Sequence, residues 1–164
     1  MSGKLMVGIV VGSESDLPVM NKCGETLDTY GIGWEIGVMS AHRAGEVVRS
    51  YAQQAKDRGL RVIVAGAGAA AHLPGVLASI TTLPVIGVPL AGTPLSGFDA
   101  LLSIVQMPPG IPVATVAVGD MGARNAAHLA AEILALSDSD VAAALDAHRA
   151  KMRGTAKPPE GFTP

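Results

Sequence analysis

The amino-acid sequence predicts an α/β fold, a three-layer α/β/α sandwich in which helices cover both faces of a parallel five-stranded sheet. Short apolar runs alternate along the chain with segments of helical periodicity, as in consecutive βαβ units. The clearest runs are apolar throughout, which is typical of parallel strands buried on both faces. Aromatic residues make up only 3% of the chain, and the apolar excess comes mainly from small residues that let helices pack closely against a sheet.

Five segments are predicted to be strands. The first, Leu5–Val11, is continuous, rich in valine and ends at Gly12. The others cover residues 34–39, 61–65, 84–88 and 113–118. Right-handed crossovers between parallel strands favour a doubly wound topology. Ligands of such sheets bind at the carboxyl ends of the strands, so functional residues are expected directly after strands.

Six helices are predicted between and after these strands. The first has Ser15 or Asp16 near its N-cap, Pro18 in its first turn and Gly31 at its end. The last two are separated by the cap signals Ser137 and Asp138. The predicted ranges are 15–30, 46–58, 72–80, 98–106, 123–136 and 138–152. Residues 1–153 are expected to form one domain, followed by an extended or disordered tail over 154–164.

Composition excludes several classes of function. The formal net charge is -2 and no basic run occurs, which argues against a nucleic-acid partner. Cys23 is the single cysteine, no Cys/His group has zinc spacing, and no metal site is expected. No signal peptide or membrane span is recognisable, so a cytoplasmic protein without a membrane partner is expected. With 16% charged residues and 49% hydrophobic residues, part of the surface is expected to be covered in a homo-oligomer.

The first polar cluster follows the first strand and reads Gly12-Ser13-Glu14-Ser15-Asp16. Glycine allows a ligand to approach the backbone, and serine hydroxyls with free amides at a helix start can bind phosphate. Asp16 could accept hydrogen bonds from ribose hydroxyls. A tight turn with an N-cap would use the same residue types, so the cluster alone leaves both interpretations open. Its spacing matches neither a Walker loop nor a dinucleotide fingerprint.

The second cluster, Ser40-Ala41-His42-Arg43, follows the second strand. Histidine is the usual side chain for proton transfer near neutral pH, and the guanidinium of Arg43 matches phosphate oxygens. A single histidine at a strand end is often structural. The neighbouring serine and arginine at a ligand-binding edge raise catalysis by His42 to an equal alternative.

The third cluster follows the third strand and covers residues 66–75, from Gly66 to Gly75. Its many glycines and alanines indicate close approach of the backbone to a ligand or to another subunit, although a flexible loop with tight helix packing would look the same. His72 is interpreted as a structural or substrate-contacting residue. His128 and His148 lie in late amphipathic helices and are expected at the surface or at an interface.

Together these clusters resemble the mutase family of purine biosynthesis, over residues 7–136. Their order and spacing are specific, although each motif alone would be weak evidence. The motifs are Gly12-Ser13-Glu14-Ser15-Asp16, Ser40-Ala41-His42-Arg43, Ala65-Gly66-Ala67-Gly68, Ala71-His72-Leu73-Pro74-Gly75, Ser103-Ile104-Val105-Gln106-Met107-Pro108 and Asn125-Ala126-Ala127.

The resemblance implies a flavodoxin-like sandwich, a homo-octamer with shared sites, and transfer of a carboxylate from N5 of carboxyaminoimidazole ribonucleotide to ring carbon C4 without any cofactor. It implies decarboxylation, trapping of CO2 and recarboxylation, with His42 as the general acid and base. The implied binding residues are Ser13, Ser15, Ser40 and Arg43 for the phosphate, Asp16 for the ribose, Ala67 and Gly68 for the base, His72 near the migrating group, and also Ala41 and Leu73.

Several positions distinguish this chain within the resemblance. A branch that carboxylates aminoimidazole ribonucleotide directly with CO2 typically carries Lys after the histidine, so Arg43 favours the mutase. Ala44 and Gly45 replace the usual Thr-Pro, and Ala69 stands where Gly is usual. The direct carboxylase is the alternative enzyme. A binding module for a phosphorylated ligand is the alternative from another class, although phosphate binding alone does not require His42.

Overall fold

The computed structural model describes residues 4–155, which form a five-stranded parallel sheet with helices on both faces. The strands are β1 (Leu5–Val11), β2 (Gly33–Val38), β3 (Val62–Gly68), β4 (Val85–Leu90) and β5 (Ala114–Thr115). The helices are α1 (Leu17–Asp28), α2 (Gly45–Gln54), α3 (Leu73–Ala78), α4 (Phe98–Val105), α5 (Asp120–Ala135) and α6 (Ser139–Arg153). The predicted α/β/α sandwich is therefore confirmed, including the additional C-terminal helix.

The sheet order is β2-β1-β3-β4-β5, the order of flavodoxin-like folds. The chain moves from β1 outward to β2, then returns past β1 to β3, so the direction of winding reverses beside β1. Val11 pairs with Val38 on one side and with Gly66 on the other, and Gly68 pairs with Leu90. The carboxyl ends of β1 to β4 consequently lie together at one edge of the sheet.

Successive residues of the strands enter two different cores. Ile9 packs with α1 and α5 on one face, whereas its neighbour Val10 packs with α2 and α3 on the other. The buried stripe of α5 consists almost entirely of alanine: Ala123, Ala126, Ala127, Ala130 and Ala131. These short side chains let α5 lie close to both the sheet and α1, which explains how a chain with so few aromatic residues fills its core.

Three strand predictions were wrong in extent. The third strand was predicted to end at Ala65, but it continues to Gly68 because Gly66, Ala67 and Gly68 pair with β4. The fourth strand likewise extends past the predicted end at Val88, to Leu90. The fifth strand, predicted over 113–118, is reduced to two residues at the edge of the sheet, where it has a neighbour on one side only.

The helix predictions were right in number and order but differ at several ends. The first begins at Leu17, after a separate 3-10 turn at Glu14–Asp16, and the second ends at Gln54 rather than at 58. The chain turns through Gly59, whose φ of 95° is in the left-handed region that favours glycine. The helix predicted from residue 123 already begins at Asp120, directly after another left-handed glycine.

The predicted cap of the last helix is present, since the Asp138 carboxylate accepts hydrogen bonds from the amides of Asp140 and Val141. No helix within residues 4–155 is long and apolar enough to cross a bilayer. The tail predicted over 154–164 falls outside the described residues from 156 onward, so the division into a domain and a tail stays a prediction.

Candidate active site

A cavity of about 280 Å³ lies at the carboxyl edge of the sheet, where the winding reverses. Segments after four strands form its walls, as the doubly wound topology predicts. The lining residues are Gly12, Ser13, Ser15 and Asp16 after β1, Ser40, Ala41 and His42 after β2, Ala67, Gly68, Ala69, Ala70, His72 and Leu73 at and after the end of β3, and Gly92 and Thr93 after β4. The cavity therefore collects ten of the eleven residues predicted for the site, all except Arg43.

The wall after β1 is a tight hydroxyl-rich turn. The Ser13 hydroxyl oxygen accepts hydrogen bonds from the Ser15 hydroxyl at 3.0 Å and from the Ser15 amide at 3.4 Å. Burial raises the pKa of Asp16, and a hydrogen bond from the Ser13 backbone partly offsets this rise. Ser13 is thus the N-cap of the 3-10 turn at Glu14–Asp16, whereas Asp16, one of the two residues predicted near the N-cap of the first helix, holds that position without a side-chain cap hydrogen bond. The hydroxyl-bearing residues Ser13 and Ser15 still line the cavity.

Arg43 lies at the edge of this wall rather than on the cavity surface. Its Nη2 donates a hydrogen bond to the carbonyl oxygen of Gly12 at 3.0 Å, which joins the segment after β2 to the segment after β1. The turn that contains Arg43 is closed by a hydrogen bond from the Ala44 amide to the Ser40 carbonyl. Arg43 therefore fixes the position of one wall, and it leaves four guanidinium N–H groups for other partners.

Two histidines meet inside the cavity although thirty positions separate them in sequence. His42 Nε2 lies 2.8 Å from His72 Nδ1, and the rings meet edge to face with centroids 4.9 Å apart. One of these two nitrogens must carry the shared proton, so the tautomer of each ring depends on the other. Both side chains are exposed at the cavity mouth. The pair can pass a proton to or from a ligand placed beside it.

The end of β3 brings backbone to the cavity surface. A Cβ added to Gly68 would lie 3.2 Å from the carbonyl oxygen of Leu90, so the close pairing of β3 with β4 leaves little room for a side chain there. Ala69 has a φ of 52°, in the left-handed region that favours glycine. The glycine expected from the resemblance at that position thus has a conformational reason.

The sequence analysis missed the fourth wall, Gly92 and Thr93. The segment over 90–97 carries no histidine or charged residue, and it lies between the predicted strand 84–88 and the predicted helix 98–106. Its position directly after β4 was the available signal, because β4 ends at the same edge as the other strands. The other two histidines, His128 and His148, do not line the cavity. His128 instead contacts the first helix region, with its Nδ1 2.7 Å from the Tyr30 hydroxyl.

Among residues 4–155, no group of three or more His, Cys, Asp or Glu side chains is placed to hold a metal ion. The cavity presents hydroxyls, one carboxylate, two imidazoles and a wall of small side chains. This combination suits a phosphorylated ligand with a flat ring and a reaction that moves protons.

Comparison with known proteins decides the family. The family model described as AIR carboxylase matches residues 6–155. The chain belongs to the AIR carboxylase family. A relative from Aliivibrio fischeri, named N5-carboxyaminoimidazole ribonucleotide mutase, is 52% identical over 145 residues, covering 88% of this chain and 90% of that protein.

Relatives from distant organisms carry the same name. The Bacillus subtilis protein is 51% identical over 150 residues, with 92% of this chain and 93% of that protein covered. The crystal structure of Treponema denticola PurE superimposes with a TM-score of 0.83 at 29% sequence identity, covering 92% of this chain and 93% of that one. The family and the flavodoxin-like fold expected from the motifs are therefore confirmed.

Proposed function

We propose that this chain interconverts N5-carboxyaminoimidazole ribonucleotide and 4-carboxy-5-aminoimidazole ribonucleotide, an isomerase step of de novo purine biosynthesis. The observation that carries the proposal is the imidazole pair in the cavity. Of the described side chains that line it, only Asp16, His42 and His72 ionise, and only imidazole has an ordinary pKa near neutral pH. Relatives with about half of their residues identical carry the name of this mutase.

The phosphate is proposed to bind at the hydroxyl-rich side of the cavity. Ser13, Ser15 and Ser40 supply hydroxyl donors, and the free N–H groups of Arg43 supply charge. Asp16 lies farther along the same segment and would accept hydrogen bonds from the ribose hydroxyls.

The imidazole ring of the substrate is proposed to lie against the end of β3. Ala67 and Gly68 offer a wall without bulky side chains, and Leu73, which is buried, offers an apolar contact. Ala41, next to His42, would close the opposite side. This placement sets the migrating carboxylate beside His42 and His72, the pair joined at 2.8 Å.

The proposed chemistry needs one proton donor that later accepts a proton. The N5–carboxylate bond breaks, CO2 leaves, and protonated His42 gives its proton to N5, which keeps the bonding electron pair. C4 then attacks the trapped CO2, and neutral His42 removes the C4 proton to restore the aromatic ring. One proton leaves the imidazole and one returns, so the reaction is balanced as an isomerisation. Recapture of CO2 is effectively intramolecular if the cavity retains it.

We also propose that the chain forms a homo-oligomer, an octamer by family resemblance, in the cytoplasm. The need to retain CO2 supports the association of subunits. In one chain both site histidines are exposed, so the cavity needs a further cover to exclude water. Large apolar side chains are exposed near it: Leu95 and Phe98, two and five positions beyond Thr93, are each 61% exposed. A neighbouring subunit on this surface would bury them and close the cavity.

The direct test compares the wild type with His42→Asn for conversion of N5-carboxyaminoimidazole ribonucleotide without added bicarbonate. Loss of the acid and base is expected to lower kcat by about 10²- to 10⁴-fold, while nucleotide binding persists. His148→Asn is the matched control, because His148 lies in α6, outside the cavity, and its loss should leave turnover unchanged.

The alternatives give different results in the same assay. Wild type that turns over only with aminoimidazole ribonucleotide and bicarbonate would be a direct carboxylase. Wild type that binds nucleotide but is inactive with either substrate would be a binding module. Equal activity of wild type and His42→Asn would remove His42 from the mechanism.

A further inference from the structure

We propose that Asp99 is a positioning residue that holds Thr93, and through it the segment 91–97, as the fourth wall of the cavity. The proposal rests on the function proposed above, since it concerns how the substrate is bound. Asp99 lies in the first turn of α4, outside the cavity, and Thr93 lies on its surface. Neither residue belongs to the motifs by which the family resemblance was drawn.

The link between the two residues is a short hydrogen bond to a carboxylate. The Thr93 hydroxyl donates to Asp99 Oδ2 at 2.7 Å, the distance of a charge-assisted bond. The same hydroxyl oxygen accepts a hydrogen bond from the Leu95 amide at 3.1 Å. Its single proton is therefore committed to Asp99, so Thr93 has no side-chain donor left for an anionic group of the ligand.

The other carboxylate oxygen shows that this arrangement has an energetic cost. Asp99 Oδ1 is buried and has no hydrogen-bond partner within the described residues. A buried, unpaired carboxylate oxygen destabilises the folded chain, and such groups in native proteins require an explanation. The contact with Thr93 supplies such an explanation, because the other oxygen of the carboxylate, Asp99 Oδ2, accepts the hydrogen bond of the Thr93 hydroxyl.

The segment that Asp99 holds is itself strained. Ser96 has a φ of 52° and Gly97 a φ of 86°, so two consecutive residues are left-handed, one of them with a side chain. The Ser96 amide donates to the Thr93 carbonyl at 3.0 Å. The hydrogen bonds of Leu95 and Ser96 thus both converge on Thr93, and the Thr93 hydroxyl is anchored in turn by Asp99. Without that anchor, the strained turn should relax and move the wall.

The test uses Asp99→Ala and the nearly isosteric Thr93→Val, which keeps the β-branched shape but removes the hydroxyl. Each is expected to raise KM by about fivefold or more while kcat stays within about twofold, because the His42 pair is not altered. The double variant should be no worse than either single variant, since both remove the same contact. Asp146→Ala in α6 is the control for loss of an exposed carboxylate and should match wild type.

Amide hydrogen exchange of a peptide covering 91–97 provides a readout that does not depend on activity. Faster exchange is expected in Asp99→Ala and Thr93→Val but not in Asp146→Ala. If wild type fails to turn over, the proposed function is lost, whereas exchange still decides the role of Asp99. Three results would overturn the proposal. They are unchanged exchange in both variants, a fall in kcat as large as the rise in KM, and additive effects on KM in the double variant.

Discussion

The substitution Gly12→Ala is expected to affect the stability of the fold and the binding of substrate in the cavity in opposite directions. Gly12 lines the cavity, and a Cβ added there meets no protein atom within 4 Å. Its φ lies outside the left-handed region, so alanine can adopt the same backbone conformation. The new methyl group therefore enters the open space of the cavity without disturbing the folded chain.

The structure gives opposite signs for the two effects of this substitution. Alanine reduces the freedom of the unfolded chain, which stabilises by about 0.4–1 kcal/mol and raises Tm by about 1–4 °C in a chain of this size. A substrate that packs against Gly12 loses space in a cavity of only about 280 Å³. Overpacking costs about 1–3 kcal/mol, equivalent to about 5- to 150-fold weaker binding.

Thermal unfolding and KM, measured on the same preparation, test both effects. Gly45→Ala is the matched control, because its Cβ also meets nothing within 4 Å and Gly45 does not line the cavity. The control should gain stability without a change in KM. An unchanged KM in Gly12→Ala would refute the placement of substrate against this turn, and a lowered Tm would refute the account of the local backbone.

Two further predictions concern the remainder of the molecule. Light scattering should give a mass near eight times the 16.6 kDa chain, and a monomer would contradict the proposed cover of Leu95 and Phe98. Burial lowers the pKa of His128 below its ordinary 6.5, helped by His148 and Arg149 and opposed by Glu132. The unfolded chain then binds more protons just below pH 6.5, so stability falls on acidification through that range. His128→Gln should reduce this fall in thermal melts, and an unchanged pH dependence would exclude His128 as its source.

The sequence located three of the four cavity walls because chemistry and position coincide there. His42 and the serines stand directly after strands, and strand ends are where a doubly wound sheet binds ligands. Thr93 has the same position after β4, but a lone threonine in a loop carries no signal of its own. Its hydroxyl is hydrogen-bonded to Asp99, six positions later and in another element, and the sequence gives no sign of that contact.

Strand extent was less predictable than strand existence. The end of β3 reads as a glycine-alanine loop, because residues without bulky side chains have low strand propensity. Pairing with β4 nevertheless keeps Gly66–Gly68 in the sheet, an effect of a neighbour twenty or more positions away. At β5 the opposite occurs, because only Ala114 and Thr115 pair in register with β4, although the predicted run of strand-forming residues is longer.

The amino-acid sequence by itself determined the alternation of strands and helices, the edge of the sheet that carries the cavity, and the family. These depend on local periodicity and on the order of short motifs, which a sequence contains directly. The tertiary structure alone decided that His42 meets His72, that Arg43 donates a hydrogen bond to the Gly12 carbonyl, and that Asp99 accepts one from Thr93. Such contacts join distant positions through side-chain geometry, and spacing along a chain does not encode distances of a few ångströms.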